Sequence, residues 1–299
     1  MVNSMIREMK DGRFVRQANR FTDRIGSREF PAEAGRYRLY ASLACPWAHR
    51  ALIVRRLLGL EDAIGVTIVD PIRDERGWRF TLSPDGRDPV TGVRFLAELY
   101  TATDPSYEGR HTVPCVWDTV TGRLVTNDYP EITLMLASAF APFARADAPD
   151  LYPRELRGEI DELNEEIFHT VNNGVYKAGF AESQEAYEEA FDTLFATLDR
   201  LEARLEGHDF LVGDRLTESD VRLYPTLARF DAVYHGHFKC NLRRLVDHPR
   251  LWAYAKRLHA IPAFGETTDF DHIKRHYYAT QRHLNPSGVV PKGPAVSWT

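Results

Sequence analysis

One cysteine stands where a helix should begin. The stretch Ala41-Ser42-Leu43-Ala44-Cys45-Pro46-Trp47-Ala48-His49-Arg50 reads as a strand end, a short turn and then a helix, with Cys45 at the junction. Pro46 suits the first helical position, where a missing N–H costs nothing. Trp47, Ala51, Val54 and Leu58 recur at helical spacing, and Gly59 follows as the stop. Cys45 is therefore expected at the N-cap, where the positive end of the macrodipole favours an anion. A thiolate is such an anion, so a nucleophilic cysteine is the sharper reading. The blander one is a small, half-buried, inert cysteine.

Whatever this site does, it must do with one thiol. Ala48 fills the place of a second cysteine, which excludes the internal disulfide of a Cys-x-x-Cys motif. Cys115 and Cys240 are distant in sequence, and three widely spaced cysteines make no disulfide framework. Such usage points to a reducing, cytoplasmic setting. His235, His237 and Cys240 offer three ligand types, but at unusual spacing and with no clear fourth, so no metal is expected. His49, one helical turn after Cys45, reads as structural or as part of the rim.

The elements that must position Cys45 follow from patterning. Tyr37 and Leu39 alternate with polar or small residues up to Ala41, a strand. Ile64 to Val69 is a second strand, so strand, helix and strand form a βαβ unit. Residues 70–111 are an insertion rich in turn signals, with a short helical stretch from Phe95 to Tyr100. Thr112 to Trp117 is a strand with Pro114 near its start, a conflict that a cis peptide at the turn would resolve. It pairs as a hairpin with Leu124 to Thr126, and Asn127 or Asp128 caps a helix running to Phe140. After a proline-containing linker the pattern turns helical. Ile160, Leu163, Ile167 and Val171 continue one apolar face begun at Leu156, and Tyr187 to Leu205 carry another. Thr217 to Asp220 resembles a capping box with Asp in place of Glu. Further helices are expected from Pro249 to Leu258 and from Asp271 to Thr280.

This divides the chain into an arm (1–35), a thioredoxin-like α/β domain (36–140), an all-α domain (150–284) and an extended tail (285–299). A length of 299 residues suits two domains, and 43% apolar residues suffice for two cores. The arm scatters Phe14, Phe21 and Phe30 among charges. It reads as a loose terminus, although the aromatics suggest that it packs on something. A net charge of −5 gives no footprint for nucleic acid. No apolar run approaches a membrane span, and no apolar signal core precedes Arg38.

A thiol-presenting βαβ-ββα domain followed by helices resembles the glutathione transferase superfamily. Seven stretches narrow the resemblance: Cys45 to Arg50, Gly77-Trp78-Arg79-Phe80, Arg110-His111-Thr112-Val113-Pro114, Asn172 to Phe180, Arg229 to Tyr234, His237 to Asn241, and His272 to Tyr278. In this order they resemble the glutathionyl-hydroquinone reductases, the Xi class. The resemblance implies reduction of aromatic thioethers formed when glutathione adds to a quinone. It implies Cys45 as nucleophile, forming a mixed disulfide with glutathione, and Tyr176 as the acid that protonates the leaving aromatic carbon. A second thiol resolves the mixed disulfide. Tyr234 and Tyr277 match tyrosines held to favour the thiolate, as a phenol donating a hydrogen bond would. Trp78 matches the tryptophan that packs on glutathione, Arg110 and Val113 match positions that line the tripeptide, and His111 and Thr112 between them are expected in the same binding site. The resemblance also implies a homodimer, with the thiol site in the cleft between the domains.

The chain departs from the family at Asn127-Asp128-Tyr129-Pro130-Glu131-Ile132, where the pattern is Asn-Glu-Ser-x-Glu-Ile. In the family the Glu-Ser pair holds the γ-glutamyl head. Asp128 keeps the acid on a shorter side chain, and Tyr129 sets a ring where a small hydroxyl is expected. Glutathione with a relaxed pocket is one reading. Another low-molecular-weight thiol without a γ-glutamyl group, such as mycothiol, is the other. Two further alternatives stand: an omega-like dehydroascorbate or disulfide reductase, and a scaffold that kept only the fold.

Overall fold

The computed structural model describes residues 8–298 and contains two compact units. The first comprises residues 17–149 and 271–280; the second comprises residues 8–16, 150–270 and 281–298. Residues 1–7 of the arm and Thr299 of the tail lie outside the described residues.

The first unit is built on a four-stranded sheet of order β4-β3-β5-β6, from β3 (Tyr37–Ala41), β4 (Ile64–Ile68), β5 (Cys115–Asp118) and β6 (Arg123–Thr126). β3 pairs parallel with β4 and antiparallel with β5, and β5 with β6 makes the expected hairpin. Helix α1 (Pro46–Leu57) is the βαβ crossover and packs against α3 (Tyr129–Ser138). Ala48, Ala51, Ile53 and Val54 are wholly buried, so α1 is a core helix with little exposed face. Arg36 forks onto Asp118 with bonds of 2.8 and 2.7 Å, which ties the start of β3 to the end of β5.

The 70–111 insertion is ordered, and its ordering has a visible cause. Asp88 is buried and accepts from Tyr40 Oη (2.7 Å) and Thr67 Oγ1 (3.1 Å), anchoring the loop to β3 and β4. A backbone bond from Leu96 N to Trp78 O (3.0 Å) then joins the loop to the start of α2 (Leu96–Thr103). Helix α10 (Phe270–Thr280) is distant in sequence, yet residues 271–280 belong to this unit. From sequence these residues were placed with the all-α half.

The second unit is helical: α4 (Arg157–Ile167), α5 (Gly174–Phe180), α6 (Gln184–Arg204), α7 (Glu218–Arg229), α8 (Pro249–Ala260) and α9 (Pro262–Gly265). α4 and α7 do not end cleanly. Each runs into a wider turn, Phe168–Asn172 and Phe230–Tyr234, closed by bonds from Asn173 N to Phe168 O and from His235 N to Phe230 O, both 2.8 Å. Such i→i+5 turns are rare and concentrate at functional sites. The Thr217–Asp220 box is present: Asp220 accepts from Thr217 N (2.8 Å), Leu211 N (3.1 Å) and Tyr254 Oη (2.7 Å).

Residues 8–16 depart from the loose-terminus reading. β1 (Met9–Lys10) and β2 (Arg13–Phe14) form a hairpin. Its two-residue turn, Asp11-Gly12, has φ of 51° and 71°, the conformation that suits Asp-Gly and closes a twisted hairpin. Glu182 N donates to Gly12 O at 3.0 Å, and Phe14 is buried against Tyr176 and Phe180. Residues 17–35 lie along the first unit, where Thr22 bridges Thr126 of β6. No helix among the described residues is long and apolar enough to cross a membrane.

Candidate functional site

Cys45 occupies the N-cap of α1 with extended backbone (φ −81°, ψ 121°), and Pro46 is the first helical residue. The thiol is part-exposed. Its Sγ donates to the Val113 carbonyl oxygen at 3.3 Å, across the cis peptide bond that joins Val113 to Pro114. Only the protonated thiol makes this contact. The thiolate is instead suited to the N-terminal end of α1, whose dipole favours negative charge.

The segment carrying Val113 is held by residues that sequence reasoning did not assign to the site. Tyr100 Oη donates to Thr112 O (2.7 Å) and accepts from Thr112 N (3.2 Å). Asn127 Nδ2 donates to Thr112 Oγ1 (3.2 Å), while Asn127 Oδ1 accepts from Phe21 N (3.1 Å). Asn127 opens the run that departs from the family pattern, while Tyr100 was legible only as part of a short helical stretch. His111 stands edge-on to Tyr100 and Tyr107, and burial pulls its imidazole below the usual range. The Arg110 carbonyl accepts from Tyr107 Oη at 2.7 Å.

Asp128 stands at the N-cap of α3 as expected, but its side chain makes no capping bond. Its Oδ1 accepts from Asn19 Nδ2 at 3.0 Å, so residues 17–35 reach the expected head pocket. Tyr129 lays its ring against Trp47 of α1, with centroids 4.6 Å apart, and Arg50 covers Trp47 at 4.7 Å. This run of Tyr129, Trp47 and Arg50 joins the starts of α1 and α3 around the residue that departs from the family pattern.

Trp78 is buried, with only 4% exposed. Its ring stacks on His276 of α10 (4.9 Å, 20°), and Arg73 lies 5.4 Å from the ring. His276 Nδ1 donates to Pro71 O at 2.7 Å, which fixes the imidazole against the loop. The stack thus joins α10, which also carries the buried Tyr277, to the Trp78 loop.

In the helical unit, Tyr176 of α5 and Tyr234 of the second wide turn come together with ring centroids 6.0 Å apart. Tyr176 is 8% exposed, while Tyr234 is fully buried and stacked on Phe238. α5 and Phe238 approach closely because residue 179 is glycine. A Cβ there would stand 2.2 Å from the Phe238 ring. The tyrosines thus sit in a dense aromatic cluster with Phe14, Phe180 and Phe238.

The other two cysteines are poor nucleophiles. Both are buried, and burial pushes both thiols well above their ordinary value. His237 Nε2 pairs with Gln281 Oε1 at 2.8 Å, and Cys240 Sγ lies toward Phe238 O. Among the described residues, no three His, Cys, Asp or Glu side chains come together to hold a metal.

Two family descriptions match the chain: "Glutathione S-transferase, N-terminal domain" over residues 44–139 and "Glutathione S-transferase, C-terminal domain" over residues 184–257. The chain is 50% identical to the glutathionyl-hydroquinone reductase PcpF of Sphingobium chlorophenolicum, covering 95% of this chain and 90% of that protein. The crystal structure of the glutathione-S-transferase Xi of Phanerochaete chrysosporium superposes with a TM-score of 0.94 at 47% identity, covering 99% of this chain and 98% of that one. The glutathione-bound structure of YqjG, a glutathione transferase homolog from Escherichia coli K-12, superposes with a TM-score of 0.86 at 47% identity, covering 90% and 88%.

Proposed function

The chain belongs to the glutathione transferases, in the Xi class of glutathionyl-hydroquinone reductases, and from that premise we propose that it reductively cleaves glutathionyl-hydroquinones through Cys45. The Cys45 thiolate attacks the glutathione sulfur of the aromatic thioether. The sulfur–carbon electron pair passes to the aromatic carbon, which takes a proton from Tyr176 and leaves as the free hydroquinone. The products of this half-reaction are a Cys45–glutathione disulfide and the Tyr176 phenolate. A second glutathione then attacks the mixed disulfide, releasing oxidised glutathione and Cys45, and its proton restores the tyrosine.

One observation carries this reading: Cys45 is a part-exposed thiol at a helix N-terminus, while Cys115 and Cys240 are buried and inert. A lone reactive thiol has no internal partner to resolve its mixed disulfide, so an external thiol must do so. Tyr234 supports Tyr176 through their contact, and Tyr277 sits next to the His276 that orders the Trp78 loop. Trp78, Arg110, His111, Thr112, Val113, Asp128 and Tyr129 are proposed to line the thiol substrate. Backbone bonding by Val113 would resemble the addition of a short strand. The reading carries with it a homodimer, as the family resemblance implies, and the reducing, cytoplasmic setting to which the cysteine usage points. The test is hydroquinone release from a glutathionyl-hydroquinone, with trapping of the Cys45 adduct by mass spectrometry and Cys45→Ala as control.

A second reading keeps the chemistry and changes the thiol. The observation that favours it is Tyr129, whose ring packs against Trp47 at the position where the family pattern has a serine, while Asp128 is engaged by Asn19. Mycothiol, which has no γ-glutamyl head, is the candidate. Competition between the glutathionyl and mycothiolyl adducts separates the two.

A further inference from the structure

The hairpin at residues 9–14 leads into Arg16, which lies directly beside the proposed proton donor. Its guanidinium carbon sits 5.1 Å from the centroid of the Tyr176 ring and 5.2 Å from that of Phe14. Its Nε donates to Asn173 Oδ1 at 3.0 Å. Asn173 closes the wide turn before α5, and its carbonyl accepts from Tyr176 N and Lys177 N. The residue that aims Arg16 therefore also starts the helix that carries Tyr176. Tyr176 also meets Tyr234, Phe180 and Phe238.

We propose that Arg16 is a positioning residue for Tyr176, holding the phenol ring in place and stabilising the negative charge it acquires on giving up its proton. A cation within about 6 Å of an aromatic centroid is attracted to the ring's electron-rich face. That attraction grows when the phenol becomes a phenolate, whose charge spreads into the ring. The stabilisation therefore develops with proton transfer to the aromatic carbon, which is the kind of interaction that accelerates a step. It also assigns the N-terminal hairpin a role, since Phe14 and the bond from Glu182 N to Gly12 O seat the hairpin from which Arg16 extends. The inference rests on Tyr176 as the proton donor.

The two half-reactions give the test, because only the first consumes the Tyr176 proton. Hydroquinone release is followed in a single turnover of glutathionyl-hydroquinone without free thiol. Resolution is followed separately by adding glutathione to the preformed Cys45–glutathione disulfide. Arg16→Gln is expected to slow release about tenfold and leave resolution unchanged. Arg16→Lys should restore most of the rate, and Asn173→Ala should give an intermediate loss. In a Tyr176→Phe background, Arg16→Gln should add nothing. Wild-type release by Arg16→Gln alongside slow release by Tyr176→Phe overturns the role of Arg16 alone. Equal slowing of both half-reactions, or losses that add to those of Tyr176→Phe, also overturns it. Wild-type release by Tyr176→Phe instead removes the proton-donor reading beneath it. If Arg16→Gln does not fold, Asn173→Ala carries the same comparison, with release slowed and resolution unchanged.

Discussion

The Cys45 thiol donates to the carbonyl of Val113 at 3.3 Å, so the candidate nucleophile is held by the backbone expected to receive its substrate. A thioether whose backbone bonds to Val113 would compete for that carbonyl and release the thiol to the N-terminal end of α1. Cys45→Ser is accordingly expected to bind the adduct and leave it uncleaved. Crystals of this variant soaked in glutathionyl-hydroquinone should show the thioether intact, with its sulfur beside Oγ. A sulfur bound elsewhere would separate the cysteine from the chemistry.

Tyr129→Ser restores the hydroxyl of the family pattern. If glutathione is the thiol, the change should lower KM for the glutathionyl adduct about tenfold, the worth of one hydrogen bond to a charged head group, with kcat nearly unchanged. Steady-state kinetics of both proteins decide this. A higher KM would mean that the ring against Trp47 itself forms part of the binding surface.

Asp118 makes stability depend on acid. Burial pushes its carboxyl up, but the Arg36 guanidinium, the Thr121 hydroxyl and the Val120 N–H together outweigh this and hold it below the usual carboxylate range. A group depressed in the folded state stabilises above its ordinary value, about 4, and loses that contribution as pH falls. The Tm gap between wild type and Asp118→Asn should therefore be wide at pH 7 and narrow toward pH 3. A gap independent of pH would contradict the pairing.

Asp220→Ala should cost about 3–5 kcal/mol, because it leaves Thr217 N, Leu211 N and Tyr254 Oη without the carboxylate they share inside the helical unit. Chemical denaturation measures it, and a loss under about 1 kcal/mol would mean that the box is replaceable there.

Much of the frame was legible because it rests on local rules. The N-cap position of Cys45, the hairpin of β5 and β6 and the Thr217–Asp220 box each follow from neighbours within a few residues. What escaped was tertiary or too short to be periodic. β1 and β2 have two residues each, and their one clear signal is Asp11-Gly12. The wide turns before Tyr176 and at Tyr234 leave no trace in apolar spacing, since one extra residue is absorbed without changing the buried face. Asp271–Thr280 is amphipathic wherever it docks, so its place with the first unit depends on contacts such as Trp78–His276. Arg16, Tyr100 and Asn127 are single polar residues whose importance lies in what they touch.

The most direct test of the central claim is a competition. The enzyme is offered equal glutathionyl- and mycothiolyl-hydroquinone with both free thiols, and hydroquinone release is followed by mass spectrometry beside Cys45→Ala. The account predicts Cys45-dependent release from the glutathionyl adduct and a glutathione adduct on Cys45. Release from the mycothiolyl adduct alone would transfer the same chemistry to the second thiol. No Cys45-dependent release from either adduct would contradict the account.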